Sequence, residues 1–255
     1  DKGDLYGFAE LSKETNFAGK TVKLANDIII NPGSAEDWAN GEKADNTWMP
    51  IGMTGVGSNN YATLNAFAGT FDGGMYTISG ISYTTPIRYS GLFAATGSTA
   101  TVKNLKLKNS YFKSTFAGYS YFGSVVGSAQ GTFDSIYSDA LVVVNGDAAG
   151  GLVGGTQGSA TINNCMYAGT FTNSGTNRQA HGGIVGYTEG FLKSCFVTGS
   201  VNGSVNVGGV AGRLDNIAEN CFSDTFVQGE EHVGGIVGTM NHGSIKHSYS
   251  MGNSK

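Results

Sequence analysis

The feature that most limits what this chain can become is a short block that recurs along it: a small residue, a glycine, two apolar or small residues, then glycine or alanine. It appears as Ser90-Gly91-Leu92-Phe93-Ala94 and, one residue longer, as Phe122-Gly123-Ser124-Val125-Val126-Gly127. It then returns as Gly150-Gly151-Leu152-Val153-Gly154, Gly182-Gly183-Ile184-Val185-Gly186, Gly208-Gly209-Val210-Ala211-Gly212 and Gly234-Gly235-Ile236-Val237-Gly238. Its second position falls at 91, 123, 151, 183, 209 and 235, in steps of 32, 28, 32, 26 and 26. A period of this kind marks a chain built from stacked units, each too small to bury its own apolar face.

A second block follows each first one, reading apolar, polar, polar, core-like. Its copies are Val102 to Leu105, Phe133 to Ile136, Ile162 to Cys165, Leu192 to Cys195, Ala218 to Cys221 and Ile245 to Ser248. Its last column therefore reads Leu, Ile, Cys, Cys, Cys, Ser. A third apolar stretch follows at Leu141 to Val144, Thr170-Phe171, Val201 and Phe226-Val227. Short apolar runs bounded by Gly, Asn and Ser are strands joined by turns. Three strands in about 26 residues are too few for a propeller blade and suit one coil of a β-solenoid. The fold expected is all-β, a parallel β-helix with about three short strands per coil, eight or nine coils in all. Residues 1–255 form a single domain, with 1–89 as cap and first coils and 90–255 as repeats.

Composition agrees. The chain has 41 glycines in 255 residues, 3 prolines and 13% charged residues, so tight turns are many and a polar coat is thin. The net charge is −4 and no basic run stands out in the sequence, which argues against a nucleic-acid partner. No run approaches the roughly 18 apolar residues of a membrane span. Three cysteines, Cys165, Cys195 and Cys221, lack any CxxC spacing. They are read as stacked, buried thiols, with one disulfide between neighbouring coils and one free thiol as the alternative, and with no metal and no cofactor.

The first third lacks the glycine block. Asp4 to Phe17 reads as an amphipathic helix with Asp4 as N-cap and Leu5, Phe8, Ala9, Leu11 and Phe17 on its buried face. Such a helix would cover the open edge of the first coil. Strands are expected at 21–24 and 27–30, a polar loop carrying Trp38 at 31–46, and strand pattern again at 48–52 and 69–81. The C-terminus shows no comparable cap, so the chain is expected to be a fragment of a longer protein with further coils or domains.

The Gly-Gly-[Ile/Leu]-Val-Gly blocks resemble the GLUG motif of bacterial surface proteins and haemagglutinin-like adhesins. The leader of those proteins is similar to Phe17-Ala18-Gly19-Lys20-Thr21-Val22-Lys23-Leu24, Asn26-Asp27-Ile28, Trp48-Met49-Pro50-Ile51-Gly52, Gly69-Thr70-Phe71-Asp72-Gly73-Gly74 and Tyr76-Thr77-Ile78-Ser79-Gly80-Ile81. The resemblance covers most of the chain. It departs in the first two blocks, where Ser90 and Phe122 replace the leading glycine. It implies a right-handed, pectin-lyase-like β-helix at the bacterial cell surface or outside the cell, and no catalytic residues, since the motif is structural. GLUG repeats also stand beside protease domains in some surface proteins, but no protease is read here.

The chemistry-bearing residues are sparse. His181, His232, His242 and His247 are the only histidines and are read as exposed turn residues. The carboxylates Asp134, Asp139, Asp147, Glu189, Asp215, Glu219, Asp224, Glu230 and Glu231 fall at scattered offsets and give no facing pair of the kind a glycosidase needs. Aromatic residues are the better lead. Tyr137, Met166, Phe196, Phe222 and Tyr249 follow the cysteine column directly, and strand alternation turns them outward as a lateral stripe. Tyr111, Phe112, Phe116, Tyr119, Tyr121 and Phe122 cluster in one of the longest steps, and Trp38 stands in the polar loop. The candidate binding residues are thus Trp38, Tyr111, Phe112, Tyr119, Tyr121, Tyr137, Phe196, Phe222 and Tyr249. The expected function is a non-catalytic, adhesin-like module for a glycan or a cell-surface protein. The alternatives are a passive stalk and, more remotely, a carbohydrate-active enzyme.

Overall fold

The computed structural model describes residues 1–158, 160–176 and 178–254. The chain winds into a mostly β, parallel β-solenoid with three parallel sheets and a short N-terminal helix, of about six turns and not the eight or nine expected. The sheets have eighteen, six and five strands, and a two-stranded antiparallel hairpin stands apart. The large sheet bends round two faces. One coil therefore contributes strand segments such as Thr132–Ser138, Leu141–Val144, Asp147–Gly150 and Val153–Thr156. One column of the large sheet runs eight strands deep, but the other two sheets stop at six and five, because the first coils are incomplete.

Register between coils is strict. Phe93, Val126, Val153, Val185, Ala211 and Val237 pair in sequence through parallel ladders. So do Val102, Phe133, Ile162, Leu192, Ala218 and Ile245. Down to the penultimate coil both columns point inward and are fully buried. Leu105, Ile136, Cys165, Cys195 and Cys221 form the expected inner ladder, with all three thiols free and buried. Ser248, expected as the sixth member, is only half-buried in the last coil. The residues before these five and before Ser248, namely Asn104, Ser135, Asn164, Ser194, Asn220 and His247, are left-handed, with φ between 46° and 56°. Asparagine and serine tolerate this turn, so the second polar position of the block is a conformational requirement.

The glycine block lies at a corner between two sheets. A Cβ on its second glycine would strike the next coil: on Gly151 it meets the Gly183 carbonyl, and on Gly183 the Gly209 carbonyl. A Cβ on its last glycine would strike the previous coil: on Gly186 it meets the Ala149 amide, and on Gly212 the His181 amide. The motif recurs because each corner touches its neighbours on both sides at backbone distance.

Three local expectations change. The N-terminal helix is Lys2–Leu11, earlier than the periodicity suggests, because Asp1 and Asp4 form a reciprocal capping box. Within the expected polar loop, Ala35–Ala39 forms a second short helix capped by Ser34 and Asp37. The strands Met53–Val56 and Ala62–Leu64 make the antiparallel hairpin, which no sequence pattern announces.

Candidate functional site

Two columns meet at the corner where the six-stranded and five-stranded sheets join, and together they open a cleft. The first column contains Tyr121, whose ring lies over Gly155, where any side chain would collide with it. The second contains Tyr187 and Arg213, paired directly across neighbouring coils. The alanines Ala148 and Ala180 form the floor in left-handed conformation, with φ of 51° and 66°. Tyr119, Asp147, Gln179, Glu189 and Asn206 complete the lining of a cavity of about 490 Å³. Small side chains at 148 and 180 make the hollow, Gly155 leaves room for the Tyr121 ring, and the large side chains at 121 and 187 wall it.

The polar groups converge on Tyr187. Its hydroxyl donates toward Glu189 Oε1 at 2.6 Å, with Asp215 Oδ2 at 3.3 Å. Arg213 binds Asp215 through both Nε (3.4 Å) and Nη2 (2.8 Å), and its guanidinium stands 5.1 Å from the Tyr187 ring centre. On the opposite wall the hydroxyls of Tyr119 and Tyr121 are 2.8 Å apart. Burial pushes the Tyr121 and Tyr187 phenols well above their ordinary range, with the Tyr119 hydroxyl and the Glu189 carboxylate adding to it. Both therefore remain neutral hydroxyls at any ordinary pH.

The sequence-based candidates divide sharply. Tyr119 is 49% exposed, and Tyr121, although mostly buried, keeps its edge on the cleft. Trp38, Tyr111 and Phe112 are corrected: all three are buried. Trp38 belongs to the Ala35–Ala39 helix and packs with Ala35 on Tyr111, while Phe112 points into the core. The outward stripe exists. Phe196 and Phe222 stack at 4.7 Å and 8°, and Tyr249 follows at 4.5 Å and 43°. Stacking uses the ring faces on one another and leaves mainly edges to solvent, so the stripe reads as a ladder that ties coils together. Tyr137, one coil before Met166, bonds to Asp139 and carries Lys108 over its ring.

Two further expectations fail. His181 is fully buried, occupying the inward column of Phe122, Ala149, Val207 and Val233. Nor are the carboxylates all scattered: Glu189 and Asp215 both follow the second glycine of their block by six residues and reach the same hydroxyl. The signal was there in Gln130, Gln157, Glu189, Asp215 and Asn241, which succeed one another at the end of the same strand. Counting from the glycines would have shown it. Among the described residues no cluster of His, Cys, Asp and Glu could hold a metal ion.

No protein-family model matches the chain, and no curated protein matches it. A solved structure from Bacteroides ovatus, described as that of "a putative immunoglobulin A1 protease", is similar in fold. The TM-score is 0.68 at 19% identity, over 94% of this chain and 71% of that one. At that identity the likeness concerns the path of the backbone and carries no residue roles.

Proposed function

We propose that the chain is a non-catalytic binding module of a bacterial cell-surface or secreted protein, of the GLUG-repeat type, and that the Tyr119–Tyr187 cleft takes a glycan. The observation that supports this is the cleft itself. It sets three tyrosine rings, an arginine, two carboxylates and two side-chain amides round one open hollow on an otherwise repetitive surface. Rings with polar rims suit sugars, whose C–H faces pack on aromatic surface while their hydroxyls need donors and acceptors. A stalk or spacer would have no use for a hollow that departs from the repeat.

The test is a glycan array followed by calorimetry on the wild type and on Tyr187→Ala. Tyr187 is half-buried and outside the core, so the variant should keep its fold. Affinity for the best array ligand should fall about tenfold, the loss of one ring contact worth about 1.4 kcal/mol. An array on which nothing binds, or a Tyr187→Ala variant that binds unchanged, would remove the cleft from consideration.

One observation favours a second reading. Two carboxylates at one hydroxyl are also the raw material of a glycosidase. Against it, Asp215 is held by Arg213 in a two-point pair, and the Tyr187 hydroxyl fills the gap where a scissile bond would lie. Release of reducing ends from the array ligand, lost in Glu189→Gln, would reverse this preference.

A further inference from the structure

We propose, building on the glycan-binding reading, that the ligand is a linear glycan carrying negative charge, that it runs along the solenoid axis, and that Arg88 receives a carboxylate or sulfate on it. The chain has three arginines. Arg178 lies 4.0 Å from Asp147, and Arg213 lies 2.8 Å from Asp215. Arg88 makes no ion pair among the described residues, although it is only 8% exposed. Its Nε is buried without a hydrogen-bond partner, and its terminal guanidinium nitrogens make no hydrogen bond among the described residues.

The guanidinium is held by rings instead. It lies 3.8 Å from the Tyr61 ring centre, 5.5 Å from those of Tyr89 and Phe116, and 5.9 Å from that of Tyr119. Cation–π contact offsets part of the desolvation of a sheltered cation. Attraction to a ring takes up none of the N–H donors, and the Nε–H has no acceptor in the structure. Those donors are the ones that match a carboxylate or sulfate with two parallel hydrogen bonds.

The rings also join Arg88 to the cleft. Tyr61 and Tyr89 are 6.2 Å apart, Tyr89 and Tyr121 5.7 Å, and Tyr121 and Tyr119 5.4 Å. Tyr61 comes from the antiparallel hairpin, and its backbone bridges to Arg88. From the coil of Phe93, which holds Arg88 and Tyr89, to the coil of Arg213 the ladder climbs four steps. That is about 19 Å at the inter-strand spacing. A compact ligand would fill only the cleft. A track of this length, parallel to the axis, fits a chain of sugar rings.

The experiment compares three hexasaccharides on the full chain by calorimetry: a heparin fragment, an oligogalacturonate and cellohexaose. At least one charged hexasaccharide should bind tenfold or more tightly than cellohexaose. Binding of heparin alone would identify sulfate as the group, and binding of oligogalacturonate alone would identify carboxylate. Arg88→Gln should erase the preference for charge, whereas Tyr187→Ala should weaken charged and neutral chains alike. Should Arg88→Gln fail to fold, Arg88→Lys keeps the cation and removes the planar fork, and should lose most of the preference. Equal binding of cellohexaose, or a preference that survives both Arg88 variants, overturns the assignment while leaving the cleft as a glycan site. No binding by any oligosaccharide, on this set or on the array, overturns both.

Discussion

His181 is the residue least suited to its position. It stands in a column of Phe, Ala and Val, its Nε2 donates to the Gly146 carbonyl at 3.0 Å, and its Nδ1 has no partner. Burial pushes its pKa down to about 4 from 6.5, although the Gly146 hydrogen bond opposes the change. The unfolded chain therefore takes up a proton below pH 6.5 that the folded chain refuses until pH 4. The stability that neutral burial provides is whole above pH 6.5 and declines as pH falls to 4, by up to about 3 kcal/mol. Urea titrations across that range should show the decline in the wild type and a flatter limb in His181→Val, which continues the column of Val207 and Val233. Asp72 also titrates below its ordinary range, chiefly through the Asn104 hydrogen bond, but its loss of stability begins at lower pH. Parallel limbs for the two proteins would refute the assignment. Residue-scale strain also marks the cleft: Ala148 and Ala180 hold a left-handed conformation that costs an ordinary residue about 1 kcal/mol or more. Glycine would relieve it, yet these positions keep a methyl group facing the hollow.

Within the large sheet, one outward column reads Lys23, Asp72, Lys103, Asp134, Asn163, Lys193, Glu219, Lys246. Opposite charges alternate along nearly all of it, with Lys103 3.8 Å from Asp72 and Asn163 bonded to Asp134 at 2.7 Å. Stacked strands place each side chain directly over its counterpart, and like charges there repel. Glu219→Lys would set three lysines in a row. We expect it to cost about 0.5–1 kcal/mol at low salt, with the loss shrinking toward zero at 1 M salt, where screening is short-ranged. Thermal melts at the two ionic strengths measure this; a loss independent of salt would point to packing instead. This column is the second position of the block that ends in cysteine, so Asp134 and Glu219, expected at scattered offsets, in fact align. The inner ladder, the outward stripe and the capping helix were legible in the sequence, because each depends on spacing within one coil. What could not be read was anything that depends on how coils of unequal length superimpose. Trp38 looked exposed until a short helix laid it on Tyr111. His181 looked like a turn residue until register placed it under Val207. The cleft needed Tyr121 to lie over a glycine 34 positions later.

The solenoid as a whole is asymmetric. At its first coil the helix buries Leu5, Phe8 and Ala9, and Phe8 packs on Phe17, Phe67 and Phe71. At its last coil Met240, Ile245, Tyr249 and Met251 are 41–66% exposed, whereas Leu214 and Ala218, the counterparts of Met240 and Ile245 one coil earlier, are fully buried. Repeat proteins are stabilised coil by coil through neighbour contacts, so protection should follow contact density. Hydrogen exchange on the 255-residue chain should show amides of 231–250 exchanging first, protection rising through the coil of Cys221, and the helix-covered first coils holding longer. Early exchange in the first coils, or uniform protection along the axis, would contradict it.

The corner glycines give this architecture a mechanical character. The hydrogen-bond ladders between coils run along the axis, and each corner interlocks forward through its second glycine, as at Gly151 and Gly183, and backward through its last, as at Gly186 and Gly212. Tension between the two termini cannot load all of these bonds together; it tears the outermost strand free of its neighbour, one bond at a time, as a zipper opens. Each 26-residue coil so released pays out about 90 Å of slack. A surface anchored through such a chain would yield under drag in short increments, and each rewound coil would find its place again by the fit of one glycine corner into the next.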